Sequence, residues 1–145
     1  MRFLLLTTLL LAGCMSTPHS SEQNEVLDVV QAFFDVIESG DVERGAEIAL
    51  PNAGFVSIRR NEGEPNISQF TTEQWLQSLS RKQNDYLEEF VGTPVVLIDG
   101  DLATVWTEYT FKIDGELSHT GVDAINLVRT EDGWKIAGAA YSVVK

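Results

Sequence analysis

Asp99-Gly100-Asp101-Leu102-Ala103-Thr104-Val105-Trp106-Thr107-Glu108-Tyr109-Thr110-Phe111-Lys112-Ile113-Asp114-Gly115-Glu116-Leu117-Ser118-His119-Thr120-Gly121-Val122-Asp123 is the stretch on which the reading of this chain turns. Leu102 to Ile113 is rich in β-branched and aromatic residues, the composition of a strand. Asp114-Gly115 is a two-residue hairpin turn, because both residues tolerate the positive φ that such a turn needs. Leu117 to Val128 is then the returning strand. Upstream, Leu87 to Ile98 is strand-like and is closed by Asp99-Gly100-Asp101. Downstream, Glu131-Asp132-Gly133 turns the chain again into Trp134 to Val144. The second half of the chain is therefore expected to be an antiparallel meander.

The first half has the other period. Val26, Val29, Val30, Phe33, Phe34 and Ile37 recur at steps of three and four, one apolar stripe on a helix. Gly40 suits the left-handed residue after that helix, and Asp41 can cap the next one. The second helix is expected from Val42 to about Leu50, with Pro51 after it. Gly54 to Arg59 alternates as a strand, and the polar segment from Asn61 to Gln69 reads as a loop. Thr71-Thr72-Glu73-Gln74 resembles a capping box, opening a third helix with Trp75, Leu76 and Leu79 on its buried side. Helices first and strands afterwards is an α+β layout.

Composition narrows the function. The 145 residues carry 22 acids and 10 bases, a formal charge of −12, which disfavours nucleic acid and basic-patch docking on anionic lipid. Cys14 is the one cysteine, so an internal disulfide and a thiolate metal cluster are excluded. Before it, Arg2 precedes an apolar run from Phe3 to Ala12 that is shorter than the roughly 20 residues of a spanning helix. Leu11-Ala12-Gly13-Cys14 resembles the lipobox of bacterial lipoproteins. That resemblance implies a signal peptide over residues 1–13, cleavage before Cys14 and acylation of that residue. Met15 at the following position, rather than Asp, implies the outer membrane facing the periplasm as the place in the envelope. Residues 14–24 then read as the lipidated cysteine and a polar tether, with His19 a solvated side chain in it, and 25–145 as the domain.

The order of elements, with Phe34-Asp35-Val36-Ile37-Glu38-Ser39-Gly40-Asp41 ending the first helix, resembles the nuclear transport factor 2-like superfamily. Asp99 to Trp106, Tyr109-Thr110-Phe111, Ser118 to Asp123 and Asp132-Gly133-Trp134-Lys135-Ile136 resemble its lumazine-binding branch, among SnoaL-like domains. The likeness spans about Glu25 to Val144. It implies a cone in which three N-terminal helices pack on a curved antiparallel sheet around an apolar pocket. It also makes a homodimer an expectation. In ketosteroid isomerases of this superfamily a Tyr, a carboxylate base and a protonated Asp do the chemistry. Those roles fall here on Phe33, on Ser57, and on Ala124 or Asn126, so no catalytic residue is assigned and no cofactor or metal is implied.

Strand alternation sorts the remaining candidates. With Asp114-Gly115 as the turn, Phe111 is expected opposite Ser118, Tyr109 opposite Thr120, Thr107 opposite Val122 and Val105 opposite Ala124. The concave face then carries Thr107, Tyr109, Phe111 and Asn126, joined by Tyr141, Phe33 and Trp75 as a ligand pocket. The outer face carries Trp106, Glu108, His119, Asp123, Ile125 and Leu127, an interface or an alternative polar site, with Trp134 near it. A one-residue slip or bulge exchanges the two faces. His119 and Asp123 lie about 13 Å apart along one strand and cannot touch. Arg59 and Arg60 are placed to meet an anionic ligand at the mouth or to be solvated. Three functions follow in order: a non-catalytic cone for a small apolar or aromatic ligand at the membrane surface, a protein–protein interaction module of the envelope, and a dehydratase- or cyclase-type enzyme.

Overall fold

A computed structural model describes residues 18–60 and 64–145. The signal peptide and Cys14 lie outside the described residues.

Helix α1, Ser21–Ser39, starts four residues before the expected domain boundary at 25. Its start is fixed by a capping box: Ser20 Oγ accepts from Gln23 N–H, and Gln23 Oε1 accepts from Ser20 N–H at 2.9 Å. Gln23 also donates to Val96 O at 2.9 Å, which ties the helix to the sheet. His19 is held as well, its Nε2 2.9 Å from Pro94 O, so it is half-buried rather than solvated. Gly40 ends the helix in the left-handed region, φ 74°, with its N–H on Val36 O. Val26, Val30, Phe33, Phe34 and Val36 form the buried stripe.

Asp41 caps α2, Val42–Ile48, and Thr71 caps α3, Thr72–Ser80, through the capping box with Gln74. The three helices meet at Gly45. A Cβ there would lie 2.6 Å from Leu76 Cδ2 and 3.2 Å from Val36 Cγ1. No helix among the described residues is long and apolar enough to cross a membrane.

The strands are β1 (Ala49–Arg60), β2 (Pro65–Thr71), β3 (Tyr86–Asp99), β4 (Leu102–Ile113), β5 (Glu116–Thr130) and β6 (Gly133–Val143). Their order is β2-β1-β6-β5-β4-β3. Two expectations are corrected here. The segment from Asn61 to Gln69 is not all loop: Pro65–Thr71 pairs antiparallel with β1 as an edge strand. Its side chains are almost all exposed, so hydrophobic alternation does not mark it, and backbone hydrogen bonds hold it. The sheet is also mixed rather than purely antiparallel, because β1 runs parallel to β6. The chain makes that crossover through β2, α3 and the meander.

The meander itself follows the expected turns, and Asp114 (φ 51°) and Gly115 (φ 83°) have the backbone of the hairpin turn. The register does not follow. Lys112 pairs with Leu117, but Phe111 pairs with His119, so Ser118 is an extra residue in β5. Beyond it, Tyr109 faces Gly121, Thr107 faces Asp123 and Val105 faces Ile125. The expected faces of β5 are thereby exchanged. Ile125 and Leu127 are fully buried in the core, as is Trp134 nearly so, and none belongs to an outer interface.

Gly121 marks the tightest approach in this region. A Cβ there would stand 1.9 Å from Ser142 O and 2.6 Å from Tyr109 Cε1, because Val144 bridges back to Thr120 beside it. Gly121→Ala is expected to lower stability by about 2–4 kcal/mol through forced separation of β5 from the C-terminal strand. The urea midpoint checks this, and a variant that unfolds with the parent's midpoint refutes the tight approach.

Candidate functional site

The exchange of faces decides what lies between the sheet and the helices. At one end of the cone, Val26, Val30, Val105, Ile125, Leu127 and Ile136 are fully buried. Toward the other end the concave side chains leave a cavity of about 220 Å³. Its walls are largely aromatic. Phe33 from α1 lies 4.9 Å from Trp75 of α3 and 5.9 Å from Phe55 of β1, and Phe55 stacks on Phe70 of β2 at 5.3 Å. On the opposite side Tyr86, Phe111 and His119 form a second wall, with His119 stacked on Phe111 at 4.8 Å.

The expected pocket residues divide as follows. Phe33, Trp75, Phe111 and Tyr141 line the cavity. Tyr109 lines it too, but its hydroxyl is committed, donating to Ser142 O at 2.8 Å. Thr107 is buried on the concave face without reaching the cavity, and its hydroxyl donates to Glu108 O at 3.0 Å. Asn126 is corrected: it sits exposed on the outer face, its amide oxygen accepting from Thr104 Oγ1 at 2.9 Å. Of the residues expected outside, Trp106 and Glu108 are outside, Trp106 being 54% exposed. His119 and Asp123 are corrected to the inside, where both line the cavity.

Glu88 was not among the expected site residues. It is on β3, 9% exposed, and lines the cavity with Asp123, which is 4% exposed. The signal was present: Tyr86, Glu88 and Phe90 share one strand phase, so a carboxyl sits between two aromatic positions of the inner face. The adjoining Glu89 hides it by making the pair look like a solvated surface. Arg59 is at the rim, on the exposed end of β1.

The electrostatics follow from burial. Glu88 is held well above the ordinary carboxylate range, first by desolvation and then by the charge of Asp123. Burial lifts Asp123 to about 7, against which its hydrogen bond with Glu88 pulls downward. Two ionised carboxylates have no proton to share, and among the described residues Asp123 Oδ2 has no hydrogen-bond partner. A proton held between the two carboxyls supplies that bond and removes one of two buried like charges, so they titrate as a pair. Tyr141 is raised by burial, with the Ser57 hydroxyl pulling the other way and the Glu88 and Asp123 charges adding to the rise. His119 is lowered by burial, then by Arg59 and Lys145, which favours the neutral imidazole. Its Nδ1 is 3.1 Å from Ser118 Oγ, and among the described residues no carboxylate is hydrogen-bonded to the ring. Among the described residues no group of three or more His, Cys, Asp or Glu side chains converges to hold a metal.

With this geometry, comparison with known proteins is informative. Residues 21–142 match the family model described as "Putative lumazine-binding". The chain belongs to this family. Its fold is shared by solved structures at low identity. An NTF2-like protein from Cytophaga hutchinsonii superposes with a TM-score of 0.70 at 16% identity, covering 86% of this chain and 100% of that one. A nuclear transport factor 2-like superfamily protein from Salmonella enterica gives 0.68 at 14% identity over 86% and 92%. A conserved protein from Planctomyces limnophilus gives 0.69 at 15% over 86% and 97%. These likenesses establish the nuclear transport factor 2-like fold of this family member and nothing about its ligand. A comparison with curated proteins gives no match.

The raised carboxyls make a prediction about stability. A native carboxyl that keeps its proton up to about 7 binds protons that the unfolded chain has lost near pH 4. Native stability therefore falls as pH rises through that window. Asp123→Asn has no charge to bury, so its urea midpoint is expected to fall less than the parent's between pH 5 and pH 8 and to exceed it at pH 8. An unchanged pH slope in the variant rules out the buried acid pair.

Proposed function

We propose that this domain is a non-catalytic binding cone for one small, partly aromatic molecule, held near a membrane surface by a lipid on Cys14. The observation that carries the binding reading is the cavity itself: about 220 Å³ left open between aromatic walls, with a few polar groups at one end. A cone meant only as a scaffold gains by filling such a space, since each void forfeits packing contacts. The polar groups also make sense as ligand contacts, because burying Glu88, Asp123 and Tyr141 together costs stability that packing alone does not require.

The lipid anchor rests on the sequence of the leader, a short apolar run ending at Leu11-Ala12-Gly13-Cys14. Acylation there, with two or more chains, gives stable membrane attachment where one chain gives marginal binding. On this reading the cone samples molecules at the periplasmic side of the outer membrane.

Two measurements test these readings. Protein incubated with extract of its source cells and analysed by native mass spectrometry is expected to carry a small adduct. Ser78→Trp, which adds bulk at the exposed α3 edge of the cavity, is expected to lose it while keeping the parent's thermal stability within about 1 kcal/mol. Equal retention by the variant counts against the pocket. Labelling of expressing bacteria with an alkyne fatty acid is expected to tag the parent and not Cys14→Ala, and tagging of both would sink the anchor.

A further inference from the structure

The acid pair narrows the kind of molecule that this pocket takes, an inference that rests on the binding reading above. Glu88 and Asp123 come from β3 and β5 and converge on the cavity from either side of β4. Neither is answered by a basic side chain. The ion pairs among the described residues are Arg44–Glu47, Lys112–Glu89, and Arg129 with Glu22 and Asp101. Asp123 Oδ2 is buried without any partner, in a residue 4% exposed. The cavity that the two acids line is also lined by the rings of Phe33, Phe55, Trp75 and Phe111.

We propose that this end of the cavity is an organic-cation site, in which Glu88 and Asp123 accept the ammonium group of a small amine whose apolar body lies between the aromatic walls. The charges balance. A pair with one proton carries one negative charge, and the ammonium cancels it inside a low-dielectric enclosure. Asp123 Oδ2 gains the donor that it lacks. The aromatic faces add attraction for a cation over a neutral isostere. A neutral ligand leaves the buried charge uncompensated, and an anion adds to it.

The other charged and titratable groups facing the cavity fit this assignment. Tyr109 of β4 is tied to Ser142 O, and Tyr141 of β6 faces the pair as a neutral phenol. His119 of β5 is held toward its neutral form, so it does not supply the missing cation. Arg59 of β1, at the rim, and Lys145 are exposed; their charges act on His119, and neither forms an ion pair with Glu88 or Asp123. The lining residues of α1 and α3, such as Phe33, Ile37, Trp75 and Ser78, bring no titratable group.

The test uses the full chain purified in mild detergent and two probes of one shape, 2-phenylethylamine and 2-phenylethanol, titrated by calorimetry. At pH 8 the amine is expected to bind at least about tenfold more tightly than the alcohol. Its affinity is expected to fall toward pH 6, as the pair gains its second proton and loses its charge, while the alcohol's does not. Asp123→Asn, a neutral isostere, is expected to abolish the preference. Equal binding of both probes at both pH values overturns the cation site and leaves the pocket standing. Binding of neither at millimolar concentration also overturns it, and the extract experiment then judges the pocket independently.

Discussion

Ser118 is the extra residue in the β4–β5 ladder, and every side chain of β5 beyond it takes its face from that insertion. A strand repeats every two residues, so one added residue moves a whole set of side chains from one side of the sheet to the other. Here the set is His119, Asp123, Ile125 and Leu127. The last two complete the sealed end of the cone under Val26 and Val30, and the first two enter the cavity. Core and site are therefore set by the same offset. Neither could be altered by a register shift without losing the other.

The core tolerates the polar end because the cone is built in two zones. Where α1 crosses the sheet, aliphatic side chains from β4, β5 and β6 are buried in the core. Toward the other end, large aromatic rings from α1, α3, β1 and β2 stack or tilt against one another, and the space beside them stays open. Gly121 contributes to the same zone. It lets the C-terminal strand come close enough for Ser142 O to take the Tyr109 hydroxyl, which removes one polar group from the cavity. The acid pair, Tyr141 and His119 are among the groups left facing the opening. Their unusual titration is a consequence of position, since none would be shifted on a solvated surface.

A buried acid pair lowers stability at neutral pH, and the fold offsets it elsewhere. Both long helices are capped by reciprocal side-chain and backbone bonds, at Ser20–Gln23 and Thr71–Gln74. Arg129 lies over the Trp134 ring at 4.4 Å and joins Glu22 at the start of α1 to the sheet.

What the sequence by itself determined is what depends on neighbours along the chain. The 3.6-residue stripe of α1, the caps at Gly40, Asp41 and Thr71, and the Asp114-Gly115 turn are local, and the α+β layout follows from them, while the motifs that resemble the lumazine-binding family lie along the same stretches. Placement of Phe33, Trp75 and Tyr141 was legible for the same reason. Three things were decided only in the tertiary structure. The edge strand β2 exists because β1 offers it hydrogen bonds, not because its own residues alternate. The parallel pairing of β1 with β6 joins segments about eighty residues apart, and no local pattern encodes it. The bulge at Ser118 brought His119 and Asp123 inward, turned Asn126 outward, and set Asp123 to face the cavity with Glu88. A bulge costs one residue of register and leaves composition and alternation on either side intact, so its consequences become visible only when the two strands are paired.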